Sequence, residues 1–339
     1  MKRFLVLLIA ALVCGKGLFA QDPNFSQFFV SPLTLNPALT GKFDGVFRVS
    51  GNYRNQWPTI NNAFKTGTAS ADFHILKNRI DELDRFGVGV LALTDKSGNG
   101  ILNNNYFSIS TAYHKGLDED GLHQLGVGFQ GTYGTSRVDG TKLNLGDELD
   151  QNGTWTNPTN DPFNDQVFHK KYFDLAAGIF YNGSTNGWNN FYFGVSMYHI
   201  NKPRESFTDA LFYLNARTTF HAGGYFPVND RTNVHLTALH SHQGKATNTV
   251  VGGAVSFNLN QGDYNHPVNL YLGSWMRIRD AIIPYAGLEI GDFRFGLSYD
   301  VNTSSLKPAS NTRGGIEISL IFIKQPAEPN TKKMVCPVF

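Results

Sequence analysis

The sequence predicts an outer-membrane β-barrel of fourteen antiparallel strands, and three observations carry that reading: an export signal, regular apolar–polar alternation, and aromatic strand ends. Residues 1–20 form the signal peptide. Lys2 and Arg3 supply its positive start, residues 4–13 its apolar run, and cleavage after Ala20 leaves Gln21 as the mature end. From residue 45 onward, segments of about ten residues alternate, which is the length of a tilted membrane-spanning strand. Phe47, Val49, Gly51 and Tyr53 oppose Arg48, Ser50, Asn52 and Arg54; Phe293, Phe295, Leu297 and Tyr299 oppose Arg294, Gly296, Ser298 and Asp300. A soluble sandwich also alternates, but its outer face is usually rich in Lys and Glu. Here the polar face is mostly small or neutral, as in a barrel lumen. Clusters such as Tyr53 to Trp57 and Tyr181 to Trp188 resemble interfacial girdles.

The predicted strands cover 45–54, 64–75, 86–95, 103–114, 124–135, 172–182, 190–199, 216–227, 232–242, 248–258, 268–278, 281–290, 293–302 and 313–323. An even count puts both termini on one side, expected to be periplasmic, and the long connections 136–171 and 200–215 then fall outside the cell. Residues 21–44 and 324–339 flank the barrel 45–323 as an N-terminal periplasmic segment or plug and a periplasmic C-terminal tail. Pro326, Pro329 and Pro337 keep the tail from pairing as a strand.

Composition excludes several alternatives. Charged residues are 17% of the 339, below the roughly 25% usual in soluble domains. A net charge of +2 gives no basic footprint for nucleic acid. No apolar run beyond residue 20 approaches the ~20 residues of a spanning helix. The 27 Phe, 14 Tyr and 35 Gly suit many strands and turns. After cleavage Cys336 is the sole cysteine, so an intramolecular disulfide is excluded.

Several motifs spell chemistry without the context that chemistry needs. Gly126-x-Gly128-x-x-Gly131 matches a dinucleotide fingerprint but lies inside a strand with no helix to receive a pyrophosphate. Small residues where lumen contents approach the wall explain it better. His240 and His242 share a strand face without an acidic or thiol partner nearby, and Asp147, Glu148 and Asp150 lack an EF-hand spacing. The expectation is no catalytic residue, no cofactor, no metal and no enzyme.

The segment Gln21-Asp22-Pro23-Asn24-Phe25-Ser26-Gln27-Phe28-Phe29, continuing through Asn36-Pro37-Ala38-Leu39-Thr40-Gly41, resembles the start of the PorP/SprF family. So do Asn52-Tyr53-Arg54-Asn55-Gln56-Trp57-Pro58, the turn Asp95-Lys96-Ser97-Gly98 and the terminal Cys336-Pro337-Val338-Phe339. The resemblance implies a Bacteroidetes outer-membrane barrel of type IX secretion and gliding motility. It implies a non-enzymatic partner for the secretion or surface attachment of a large adhesin or its C-terminal domain, acting with other secretion components and a periplasmic peptidoglycan-binding protein. The alternative is a passive or gated diffusion channel. Physically, Phe25 and Phe28 need cover, either inside the barrel mouth or on a partner. Arg54, Gln56 and Trp57 suit an interface hot spot or a lock on the plug. Cys336, Pro337 and Phe339 would give the tail an apolar group that docks on the barrel or on a partner.

Overall fold

A computed structural model describes residues 22–60, 63–76, 79–164, 166–207, 211–260 and 268–326. Its strands are β1 Phe47–Gln56, β2 Phe64–Ile75, β3 Arg85–Ser97, β4 Leu102–Gly116, β5 His123–Asp139, β6 Val167–Gly183 and β7 Asn190–Tyr198. They continue as β8 Arg217–Asn229, β9 Thr232–Gln243, β10 Ala246–Asn258, β11 Val268–Arg277, β12 Ala281–Ile290, β13 Phe293–Asn302 and β14 Arg313–Ile323. Each pairs antiparallel with its sequence neighbour, and β1 pairs with β14 from Arg48 opposite Ile323 to Gln56 opposite Gly315, which closes the barrel. Closure leaves no edge strand, the condition for a sheet to cross hydrocarbon.

The alternation is inside out relative to a soluble protein. Val49, Tyr53, Phe107, Ile109, Phe129 and Ile318 stand exposed on the outer wall, while Ser50, Asn52, Arg54, Ser108, Ser110, Gln130 and Glu317 are buried within. A sandwich would have buried the first set. A lipid-facing wall needs this polarity.

Strands β5 and β6 run several residues beyond the ends that alternation marks. Their ladder continues through Arg137 opposite His169 to Asp139 opposite Val167. On the outward face of that extension Arg137, Asp139, His169 and Lys171 replace the apolar residues found lower on the wall, so pairing persists where the apolar signal stops. Connections 140–166 and 199–216 leave the same rim, here called the long-loop rim. Phe47 and Ile323 lie at the opposite, terminal rim.

Candidate functional site

The lumen is occupied by the chain's own residues 22–46. Two prolines shape this segment: Pro32 opens a one-turn helix, Pro32–Leu35, and Pro37 a 3-10 turn, Pro37–Leu39. Proline suits a first helical position, because its missing N–H would have no partner there. Asn36 between them is extended, and its side-chain oxygen accepts from Ala38 N at 2.9 Å. Its amide nitrogen donates to the carbonyl of Ile179 at 3.0 Å, on the wall. One residue thus caps a turn and fixes it to β6.

The segment threads the barrel from rim to rim. At the long-loop rim Asp22 lies 2.9 Å from His199 Nε2 and 3.3 Å from Arg217 Nε, and Gln243 Nε2 donates to it at 3.0 Å. The sequence reading starts this segment at the terminal rim; residue 22 stands at the other one, where these cations and the amide hold it. Burial opposes charge on both acid and imidazole. His199 and Arg217 nevertheless hold the Asp22 carboxyl well below the usual range, and Asp22 with Asp174 pushes the His199 imidazole up to about 10. Towards the terminal rim, Thr40 Oγ1 donates to Ser110 Oγ at 2.9 Å, Gly41 N donates to Asp72 at 2.8 Å, and Phe43 stacks on His74 with ring centres 4.6 Å apart.

Also on the long-loop side of the lumen lies a charged knot. Ser26 N and Gln27 N donate to the two oxygens of Glu317, at 2.7 and 2.9 Å. Arg54 reaches Asp300 at 2.7 Å and Ser26 Oγ at 2.6 Å, and Arg277 meets Asp300 at 2.9 Å. Four charged side chains from β1, β11, β13 and β14 therefore converge on one backbone turn. Beside it an apolar cluster holds Phe28, Phe29 and Val30 against Leu239, Val250, Trp275 and Tyr285. Phe29 lies 5.0 Å from the Trp275 ring and 5.6 Å, edge-on, from Tyr285.

The wall is carved to admit the segment. A Cβ on Gly128 would lie 2.4 Å from Ala38 N and from Pro37 C, and one on Gly178 would lie 1.9 Å from Asn36 Oδ1. Of the glycine pattern that mimics a dinucleotide site, Gly128 alone opens onto this segment, whereas Gly126 makes room for the His114 ring and Gly131 for Phe173 on the outer wall. The cavity left beside Phe25, Phe28, Leu35 and Leu239 is about 30 Å³, room for about two waters.

The family model for the type IX secretion system membrane protein PorP/SprF matches residues 18–322, nearly the whole barrel and its lumen segment. The chain belongs to the PorP/SprF family. No curated protein matches it by sequence. Among solved structures it is similar to a TodX deletion mutant described as a monoaromatic hydrocarbon channel, at 10% identity and TM-score 0.52, over 90% of this chain and 95% of that one. It is also similar to the toluene transporter TodX of Pseudomonas putida, at 9% identity and TM-score 0.50, over 90% and 94%. At such identities the likeness shows the fold alone. Family and fold together place the protein in the outer membrane, as a membrane component of type IX secretion.

Within this PorP/SprF barrel the residues singled out from sequence separate into groups. Phe25, Phe28 and Arg54 all lie inside the lumen, buried, with 6%, 6% and 2% of their surface exposed. Gln56 and Trp57 do not join them. Gln56 ends β1 opposite Phe64 and Gly315, and Trp57 N donates to Gly314 O at 2.8 Å while its ring meets Phe64 edge-on at 5.6 Å. These two close the β1–β14 seam at the long-loop rim. Cys336, Pro337 and Phe339 lie outside the described residues, as does the signal peptide. His240 and His242 sit on the outer wall with His240 bonded to Thr249. Sequence reasoning missed Asp22, Asn36, His199, Arg277, Asp300 and Glu317 as segment anchors. For Arg277, Asp300 and Glu317 the signal was present: a charge on the lumen face of a strand, in a chain poor in charge, needs a lumen partner.

Proposed function

We propose that this protein is a non-enzymatic partner barrel of type IX secretion, closed by its own N-terminal segment, which holds a secreted adhesin or that adhesin's C-terminal domain. The single observation supporting this is the occupied lumen. A barrel whose bore is filled from rim to rim by hydrogen-bonded chain offers its surfaces to other proteins and no open bore to solutes. Contact at the long-loop rim serves cargo outside the cell; contact at the terminal rim, with Cys336, Pro337 and Phe339 of the tail, serves periplasmic and other secretion components. Gliding or attachment is then the consequence of presenting the adhesin.

The fold neighbours are named as a monoaromatic hydrocarbon channel and a toluene transporter, which favours a second reading, a gated diffusion path. That path requires the segment to move, since its bonds to the wall run from Asp22 at one rim to Gly41 near the other. Affinity purification from mildly solubilised membranes separates the readings. The partner reading expects a large secreted protein and secretion components in stoichiometric amount; recovery of the barrel alone, with a conductance in lipid, establishes the channel.

A further inference from the structure

The outer wall carries a feature that lumen closure leaves unused. Lys65 on β2 and Lys96 on β3 are direct cross-strand partners. The row continues from Lys96 to Asn103 on β4, and from Asn103 to Arg137 on β5. Each member shares its strand's parity with an exposed apolar residue, Phe73, Val90, Phe107 and Tyr133 in turn, so the row faces outward. Like charges directly opposite across a ladder repel. Arg137 and Lys142 share Asp139, at 3.1 and 3.5 Å, whereas Lys65 and Lys96 have no acidic partner among the described residues. These four cations, with Asn99, Gly100 and Asn103, line an open cleft of about 410 Å³. The Asn103 carboxamide oxygen is buried there without a partner.

Position identifies what fits. The cleft lies at the upper edge of the lipid-facing band, and below it on the same strands Phe107, Ile109 and Tyr133 project from the wall. A ligand here meets uncompensated positive charge at one end and an apolar wall at the other. A soluble anion uses only the first; a lipid with a phosphorylated, hydroxyl-bearing headgroup uses both. We propose that this cleft binds the phosphorylated headgroup of a glycolipid in the leaflet at the long-loop rim. Lys65, Lys96 and Arg137 contact phosphate oxygens, and the acyl chains lie along Phe107, Ile109 and Tyr133. The bound lipid relieves the Lys65–Lys96 repulsion and fixes the barrel's depth in the membrane.

The test is native mass spectrometry of the full chain in non-ionic detergent with bisphosphorylated lipid A, its dephosphorylated form, and inorganic phosphate or an acidic peptide as competitor. A one-to-one adduct with the phosphorylated lipid is expected, weakened roughly thirtyfold in the double variant Lys65→Gln, Lys96→Gln. Arg279→Gln, an exposed cation elsewhere on the same rim, should leave the adduct unchanged. Heat-modifiable migration of each variant verifies that the barrel is folded. Equal binding of dephosphorylated lipid, unchanged binding by the double variant, an equal loss in Arg279→Gln, or preferential occupation by free phosphate or peptide each overturns the proposal.

Discussion

At the scale of single residues, Arg54 decides how firmly the lumen segment is seated. Its guanidinium bridges Asp300 and Ser26, with Glu317 3.5 Å away. Removing one member of a buried charge cluster costs about 3–5 kcal/mol, because the remaining charges stay desolvated. Arg54→Ala should therefore speed amide exchange across residues 22–30 while leaving the strand ladders protected. Trp57→Ala, whose ring meets only Phe64 of β2 at the long-loop rim, should leave that exchange unaltered; equal effects from both would mean that the rim and the knot act as one unit. Asp22 and His199 make the seating pH-dependent, and both stand at the rim beyond the spanning strands. His199 is charged up to about pH 10 in the folded chain and to about 6.5 in an unfolded one. Its contribution is complete below 6.5 and fades as pH rises to 10. The depressed Asp22 contributes above its ordinary value of about 3.9 and loses that contribution as pH falls below it. Protease protection of the segment should thus be greatest between about pH 4 and 6.5, and His199→Gln should abolish the alkaline decline.

At the scale of elements, the barrel and its filling are separable. The β1 to β14 ladders are complete without residues 22–46, so replacing a wall glycine should displace the segment and spare the wall. Gly128→Val places side-chain atoms where Ala38 N and Pro37 C now lie. The expected outcome is a folded barrel whose residues 36–42 become protease-sensitive. Unchanged protection would mean that the segment has room to shift. Strand positions were legible in the sequence because each wall face meets a different solvent, lipid or polar lumen, and the period of two records it. The ends of β5 and β6 were not, because there Arg137, Asp139, His169 and Lys171 take the outward positions and the apolar–polar period vanishes. The segment's path was hidden for another reason. Its anchors, Asp22 to His199 and Ser26 to Glu317, join residues more than a hundred positions apart, and pairing across such distances leaves no local pattern. Only its prolines and the glycines opposite them marked that something packs closely there.

At the scale of the whole molecule, an edge-free barrel with a bonded filling should resist detergent and migrate faster before boiling than after. The expected orientation puts connection 140–166 outside the cell, so protease added to intact cells should cut there first. Cleavage of the chain after Ile323 from outside would invert the orientation. Truncation after Lys324 removes nothing from the ladders and should leave a heat-modifiable barrel that loses partner recovery. The central claim is that this secretion barrel is closed by its own residues 22–46 and acts through protein contact. Planar-bilayer recordings of the purified full chain beside a variant lacking residues 22–42 test it most directly. The account predicts a silent full chain and a steadily conducting deletion variant; equal conductance from both would contradict it.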